Sequence, residues 1–130
     1  MSKRVLVIED NERNLYLVTY LLERQGFEVC SARDGTAGIQ RAVKERPDLV
    51  ILDIQLPSMD GYEVAKALRA VDALSNVPIV AVTSYAMPGD REKALAVGCN
   101  GYLEKPIDPL TFVDEMQRIL SEVPSTRDPA

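Results

Sequence analysis

The chain contains no histidine. That removes the side chain most often used as a general base near neutral pH, and with it any role as a phosphohistidine carrier. Cysteine is scarce. Cys30 and Cys99 are isolated and lack the spacing of metal ligands, so free thiols in a reducing compartment are expected rather than a disulfide. No apolar run approaches the ~20 residues that a membrane span needs. Met1-Ser2-Lys3-Arg4 leads straight into a short strand-like run, so a cytoplasmic protein without a secretory signal or a membrane partner is expected. Positive charge is also short: 15 Lys and Arg against 20 Asp and Glu leave a net charge of −5, which argues against direct nucleic-acid binding. Internal repeats, low-complexity segments and linkers are missing too, so nothing divides the chain.

What is present suits a single globular domain. A length of 130 residues is enough to bury a core without disulfide or metal staples. The expected boundaries are 1–123 for the domain and 124–130 for a flexible, polar, proline-containing tail.

Leu49-Val50-Ile51-Leu52 is apolar at every position and ends on Asp53, with Pro57 and Gly61 following. A run that does not alternate reads as a strand covered on both faces, as in a parallel sheet. Val5 to Ile8 and Pro78 to Val82 read the same way, ending in Glu9-Asp10-Asn11-Glu12 and Thr83-Ser84. Phe27 to Ser31 and Gly101 to Leu103 are shorter strands, the latter ending in Glu104-Lys105-Pro106. Between them lie helical spacings: Leu15, Val18 and Leu22 up to Gly26; a helix after Asp34-Gly35 that stops before Pro47; and Val64, Leu68 and Val71 behind a cap at Asp60 with Glu63 three residues on. A weakly anchored helix after Pro88 carries Ala94, Leu95 and Val97. A final amphipathic helix carries Phe112, Val113, Met116, Ile119 and Leu120, with Asp108 as its expected cap and Pro109 at its first position. Five strands alternating with five helices imply an α/β, doubly wound parallel sheet.

Every strand but the second ends in residues with chemistry: Glu9 and Asp10, Asp53, Thr83, Lys105. In a parallel sheet those ends share one edge, where open α/β folds place their ligands. Each residue has a plainer account. The acidic pair could cap and solvate the first helix, Asp53 could open a turn, Thr83 could be an ordinary strand-end hydroxyl and Lys105 a solvated charge. Four chemically matched ends on one edge are much harder to obtain by accident. Crowded carboxylates repel unless a cation neutralises them. A hard divalent ion such as Mg2+ suits a few carboxylates plus waters and phosphate oxygens. Adding a lysine and a hydroxyl gives a set suited to a phosphoryl group carried on one carboxylate.

The combination Glu9-Asp10-Asn11, Asp53 with Pro57 and Gly61, Thr83, and Lys105-Pro106 resembles the receiver domain of bacterial two-component response regulators, over nearly the whole chain. Asp-Ile-Gln-Leu-Pro, Ala-Val-Thr-Ser-Tyr-Ala-Met and Gly-Cys-Asn-Gly-Tyr look most like stand-alone cell-division receivers of the DivK type, and also like receivers attached to hybrid kinases. The resemblance implies a CheY-like, flavodoxin-like sheet of order 2-1-3-4-5 flanked by five helices. It implies that Asp53 accepts a phosphoryl group from a sensor histidine kinase or a histidine phosphotransfer protein. Mg2+ would then be held by Asp10, Asp53 and the backbone carbonyl of Gln55, with Glu9 acting through water. Thr83 and Lys105 would contact the phosphoryl oxygens, Thr83 and Tyr102 would form the switch, Lys105-Pro106 would be a cis peptide, and Gln55 and Tyr85 would tune the lifetime of the adduct. Such a protein is not a turnover enzyme but a phosphoacceptor that assists its own phosphorylation and dephosphorylation. With no output segment in the sequence, it would signal to a downstream protein target. The expected target face combines the helix near Asp90 to Val97, the Tyr102 strand and the final helix; the first helix, Asn14 to Leu22, would serve the kinase. Two positions depart from the commonest pattern: Glu stands at the first acidic position, and Ser84 follows the threonine.

Three rivals fit less well. A flavin binder needs a loop rich in small residues after the first strand, and Glu9-Asp10-Asn11-Glu12 would repel a phosphate there. An aspartyl-phosphate phosphatase wants an acid two residues past its nucleophile, where this chain has Gln55. A degenerate receiver, used only for binding, would have lost an acid or the lysine, and all are in place.

Overall fold

The unbroken apolar runs become strands buried on both sides. In the computed structural model, which describes residues 3–84 and 87–122, β1 (Arg4–Ile8), β2 (Glu28–Ala32), β3 (Leu49–Asp53), β4 (Ile79–Thr83) and β5 (Gly101–Glu104) pair in parallel in the order β2-β1-β3-β4-β5. Both expectations, the doubly wound class and the strand order, are met. α1 (Glu12–Arg24), α2 (Gly35–Glu45), α3 (Gly61–Arg69), α4 (Asp90–Ala96) and α5 (Phe112–Glu122) alternate with the strands, and one 3-10 turn (Asp72–Leu74) precedes β4.

Alternate strand residues serve two cores. Leu6, Ile8, Val50, Leu52, Ile79 and Ala81 face α2, α3 and α4, meeting Ala42, Val64, Leu68 and Ala94. Val5, Val7, Leu49, Ile51, Val80 and Val82 face α1 and α5, meeting Val18, Leu22, Phe112 and Met116. That division is why β1, β3 and β4 have no polar face to alternate with. Each fully buried Leu, Ile or Phe contributes roughly 1.5–3 kcal/mol relative to leaving it exposed.

The helix ends follow local chemistry. Asn11, Asp34 and Asp60 each accept a backbone N–H three residues on, from Asn14, Ala37 and Glu63. Arg46 closes α2 in the left-handed region, with φ of 47°, just ahead of Pro47. The last helix differs from expectation. Asp108 and Pro109 form a turn, in which the Asp108 carbonyl accepts from Thr111 and Phe112 and its side chain from Leu110. Asp108 thus makes the bonds expected of a cap, but regular helix starts only at Phe112.

Gly61 decides how close α3 comes to the end of β3. A Cβ there would lie 2.6 Å from Ile54 Cα and 2.7 Å from the Asp53 carbonyl oxygen, so only glycine lets the helix start against the strand that carries Asp53. The Asp60 cap closes the same junction with a 2.9 Å bond to Glu63 N. Asp60→Ala is expected to lower stability by about 1 kcal/mol, read as a lower urea midpoint at unchanged slope; an unchanged midpoint would show that the cap contributes nothing.

α4 is the least secured element. It is seven residues long, has no side-chain cap at its start, and buries only Ala94. Leu95 is exposed, and Lys93 reaches across to lie 4.5 Å from the centre of the Tyr62 ring on α3. The expected tail, 124–130, lies outside the described residues, and no described helix is long and apolar enough to cross a membrane.

Candidate functional site

Parallel pairing brings four strand ends to one edge. Ile8 stands opposite Leu52, Asp53 opposite Val82, and Thr83 opposite Glu104. The residues just beyond are tied in by backbone hydrogen bonds, Glu9 N to the Ala32 carbonyl and Lys105 N to the Thr83 carbonyl. The structure therefore unites Glu9, Asp10, Asp53, Thr83 and Lys105, as their placement at strand ends predicted.

Lys105 is the centre of charge. Its Nζ lies 2.8 Å from Glu9 Oε1 and 3.2 Å from Asp53 Oδ2. All three side chains are nearly enclosed, at 10% exposure for Lys105, 6% for Glu9 and 2% for Asp53. The other Asp53 oxygen, Oδ1, accepts from Gln55 N at 2.9 Å, and Glu9 Oε2 accepts from Asn11 N at 3.2 Å. Asn11, not the acidic pair, caps α1, so the plainer account of Glu9 and Asp10 as capping residues does not hold. The peptide between Lys105 and Pro106 is cis.

Glu9, Asp10 and Asp53 each offer a carboxylate oxygen within 4.8 Å of the others. A set of hard oxygen donors that keeps Asp10 exposed fits Mg2+, which retains several waters. Electrostatics agrees. Burial pushes the Asp53 carboxyl up, the hydrogen bond and negative charge of Glu9 push it further, and Lys105 pulls it down, leaving it at about 6. Burial alone would lower the Lys105 ammonium, but the hydrogen bond to Glu9 and the charges of Asp53 and Glu9 outweigh it and raise its pKa. One lysine does not neutralise three carboxylates.

Tyr102 packs on the core beneath α3 and α4. Its hydroxyl is enclosed without a well-formed hydrogen bond. Burial, then Asp90 and Glu104, raise its pKa, while the nearby Thr83 side chain pulls it down. The two expected switch residues are thus neighbours. Tyr85 lies outside the described residues.

Two participants were not anticipated. Arg33, just past β2, donates to the Asp10 carbonyl at 3.0 Å and to Glu12 Oε1 at 3.1 Å. The second strand therefore does end in chemistry, and a lone basic residue closing a strand was the available signal. The other is a contact rather than a new residue: the side chain of Gln55, expected only to tune the lifetime of the adduct, donates from Nε2 to Thr83 Oγ1 and accepts at Oε1 from Ser84 N at 2.9 Å. Nothing in the sequence says which way that amide turns.

Comparison with known proteins agrees with this geometry. The family model of the response regulator receiver domain matches residues 5–117. The polar-differentiation response regulator DivK of Brucella anthropi is 40% identical over 122 residues, 94% of this chain and 99% of that protein; DivK of Brucella ovis is 38% identical over the same shares. Among solved structures, the chemotaxis response regulator CheY4 of Vibrio cholerae superposes with a TM-score of 0.87 at 33% identity, covering 92% of this chain and 99% of that one. The receiver domain of a sensor histidine kinase from Pseudomonas aeruginosa, solved with a magnesium ion coordinated in its active-site cleft, has a TM-score of 0.81 at 35% identity and covers 95% and 98%.

Proposed function

Because this chain belongs to the response regulator receiver family, we propose that it is a phosphorylation-activated switch that takes a phosphoryl group onto Asp53 from the phosphohistidine of a sensor kinase or a phosphotransfer protein. The observation that carries this reading is Asp53 itself, a carboxylate buried at a strand end and held between Lys105 Nζ and Gln55 N. In the transfer, an Asp53 oxygen forms the new P–O bond as the P–N bond to the donor imidazole breaks. The imidazole leaves with the bonding pair and takes up a proton from solvent. Lys105 is placed to neutralise charge on the phosphoryl oxygens, and Thr83 offers a hydroxyl to one of them. Asp10, Asp53 and the Gln55 backbone carbonyl would hold Mg2+, with Glu9 acting through water. The ion would supply counter-charge shared between the acids and the phosphoryl oxygens. Hydrolysis of the adduct returns Asp53 to its carboxylate, so the chain is a phosphoacceptor rather than a turnover enzyme.

The output is proposed to pass through α4, β5 and α5. Between them lies a groove of about 730 Å³, lined by Met87, Ile107 and Phe112 and edged by Glu92, Glu104 and Glu115. α4, with its single buried anchor, can shift at small cost. For the phosphodonor, the exposed rings of Tyr16 and Tyr20 on α1 stand on the helix that begins beside the acidic pocket.

Incubation with acetyl phosphate should add one phosphoryl group by mass, with Mg2+ and not without it; labelling that ignores Mg2+ would count against the metal site. Thr83→Ala should still be labelled but lose most of the amide chemical-shift change that phosphorylation causes in α4, β5 and α5. Changes centred instead on residues 37–44 of α2 would move the output face elsewhere.

A further inference from the structure

The Gln55 side chain holds the two β4 groups that a phosphoryl group on Asp53 would need. Gln55 stands two residues beyond Asp53, and its backbone N–H is already bonded to Asp53 Oδ1. From there the amide turns toward β4. Nε2 donates to Thr83 Oγ1, and Oε1 accepts the Ser84 N–H at 2.9 Å. Thr83 is buried, at 1% exposure. The amide thus presents to Ser84 N an acceptor oxygen of the kind that a phosphoryl group would bring.

We propose that Gln55 is a built-in competitor of the phosphoryl group, an amide latch that occupies Ser84 N–H and Thr83 Oγ1 and must let go before the switch can turn. The inference rests on Asp53 being the phosphoacceptor. A phosphoryl group brings three acceptor oxygens and no donor, so the donors it finds on the neighbouring strand are the Ser84 N–H and the Thr83 O–H. The Ser84 N–H cannot serve a phosphoryl oxygen while the Gln55 Oε1 is seated on it, and the Thr83 hydroxyl, which accepts from Nε2 and keeps its own proton to donate, is tethered in place by that bond. The amide is well suited to this job because it both donates and accepts. A carboxylate at position 55 could not donate to Thr83, and asparagine is one methylene too short to span both partners. When the latch opens, the amide has water to turn into, since Gln55 is an exposed residue. The latch also accounts for how the unphosphorylated state is held: it stitches the end of β3 to the end of β4 at the point where Thr83 must move.

The test uses the full chain with beryllofluoride as a stable mimic of the phosphoryl group, titrated at saturating Mg2+ and followed by calorimetry and by the Ser84 amide resonance. Gln55→Met keeps the length and volume of the side chain but removes both hydrogen bonds. It should bind beryllofluoride about tenfold more tightly than the wild type, the ~1.4 kcal/mol that one net hydrogen bond is worth. Its Ser84 amide should shift, before any ligand is added, toward the position the wild type reaches only when bound. Gln55→Asn should behave like Met, which guards against an effect of the thioether. Affinity that is unchanged would reduce Gln55 to a structural stitch, and affinity that falls would make it a direct ligand of the phosphoryl group; either overturns the latch. A wild-type chain that takes up no beryllofluoride at all would overturn the phosphoacceptor reading and the latch together.

Discussion

Asp53→Asn is expected to abolish labelling by acetyl phosphate and, at neutral pH without Mg2+, to make the protein more stable by about 3 kcal/mol. The loss follows from chemistry: an amide oxygen is not a nucleophile that can hold a phosphoryl group here. The gain follows from linkage. Asp53 is raised from 3.8 to about 6 by burial first and by Glu9 second, and each pKa unit is worth ~1.36 kcal/mol. The folded chain therefore binds the proton more tightly than the unfolded one, so stability falls as pH rises between about 4 and 6, and the cost is complete above about 6. Asparagine never ionises and escapes that cost. The difference between the two proteins should be full at pH 7, shrink through the window from 6 to 4, and vanish below it, as read by urea unfolding at several pH values. Mg2+ should stabilise the wild type more than the variant, since it supplies the positive charge the carboxylates lack. A variant less stable than the wild type at pH 7 would show that Asp53 is ionised there at no cost, contrary to its burial.

Lys105→Met is expected to destabilise the fold by roughly 3–5 kcal/mol at neutral pH, because it leaves Glu9 and Asp53 buried without their counter-charge. The size of the effect comes from geometry. Nζ lies 2.8 Å and 3.2 Å from the two carboxylates, with all three side chains nearly enclosed, unlike the exposed pair of Arg33 with Glu12, which is worth at most ~1 kcal/mol. Without the ammonium, Asp53 is pushed still higher, so the loss should be smaller at pH 5 than at pH 7. Labelling at Asp53 should drop by roughly 100-fold or more, since the remaining groups must stabilise the transferring oxygens without a fixed cation. Combining the substitution with Asp53→Asn should recover much of the lost stability, because the two sites share one interaction. Additive losses in that double variant would mean that Lys105 stabilises the protein through its packed stem rather than its charge.

How far the sequence reached can be judged from particular residues. The fold was legible because an all-apolar strand can be satisfied only between two layers of helix: Leu49 to Leu52 could not have faced water on either side, and the helix periods between strands left little choice but a doubly wound parallel sheet. The acids, Thr83 and Lys105 were legible for the same reason, since parallel strands deliver their carboxyl ends to one edge whatever the side chains there. What only the tertiary structure decided are matters of direction and distance between segments far apart in the chain. The Glu9-Asp10 pair faces the pocket because Asn11 takes over the capping of α1. The 22 residues between Asp10 and Arg33 close up so that an arginine bonds the Asp10 carbonyl. α5 becomes regular only at Phe112, a turn beyond Pro109, although Asp108 still accepts from the Leu110 and Phe112 amides. The Gln55 amide turns toward Thr83 and Ser84 rather than toward water, a choice among rotamers of similar local energy that is made by the donors and acceptors a neighbouring strand happens to present.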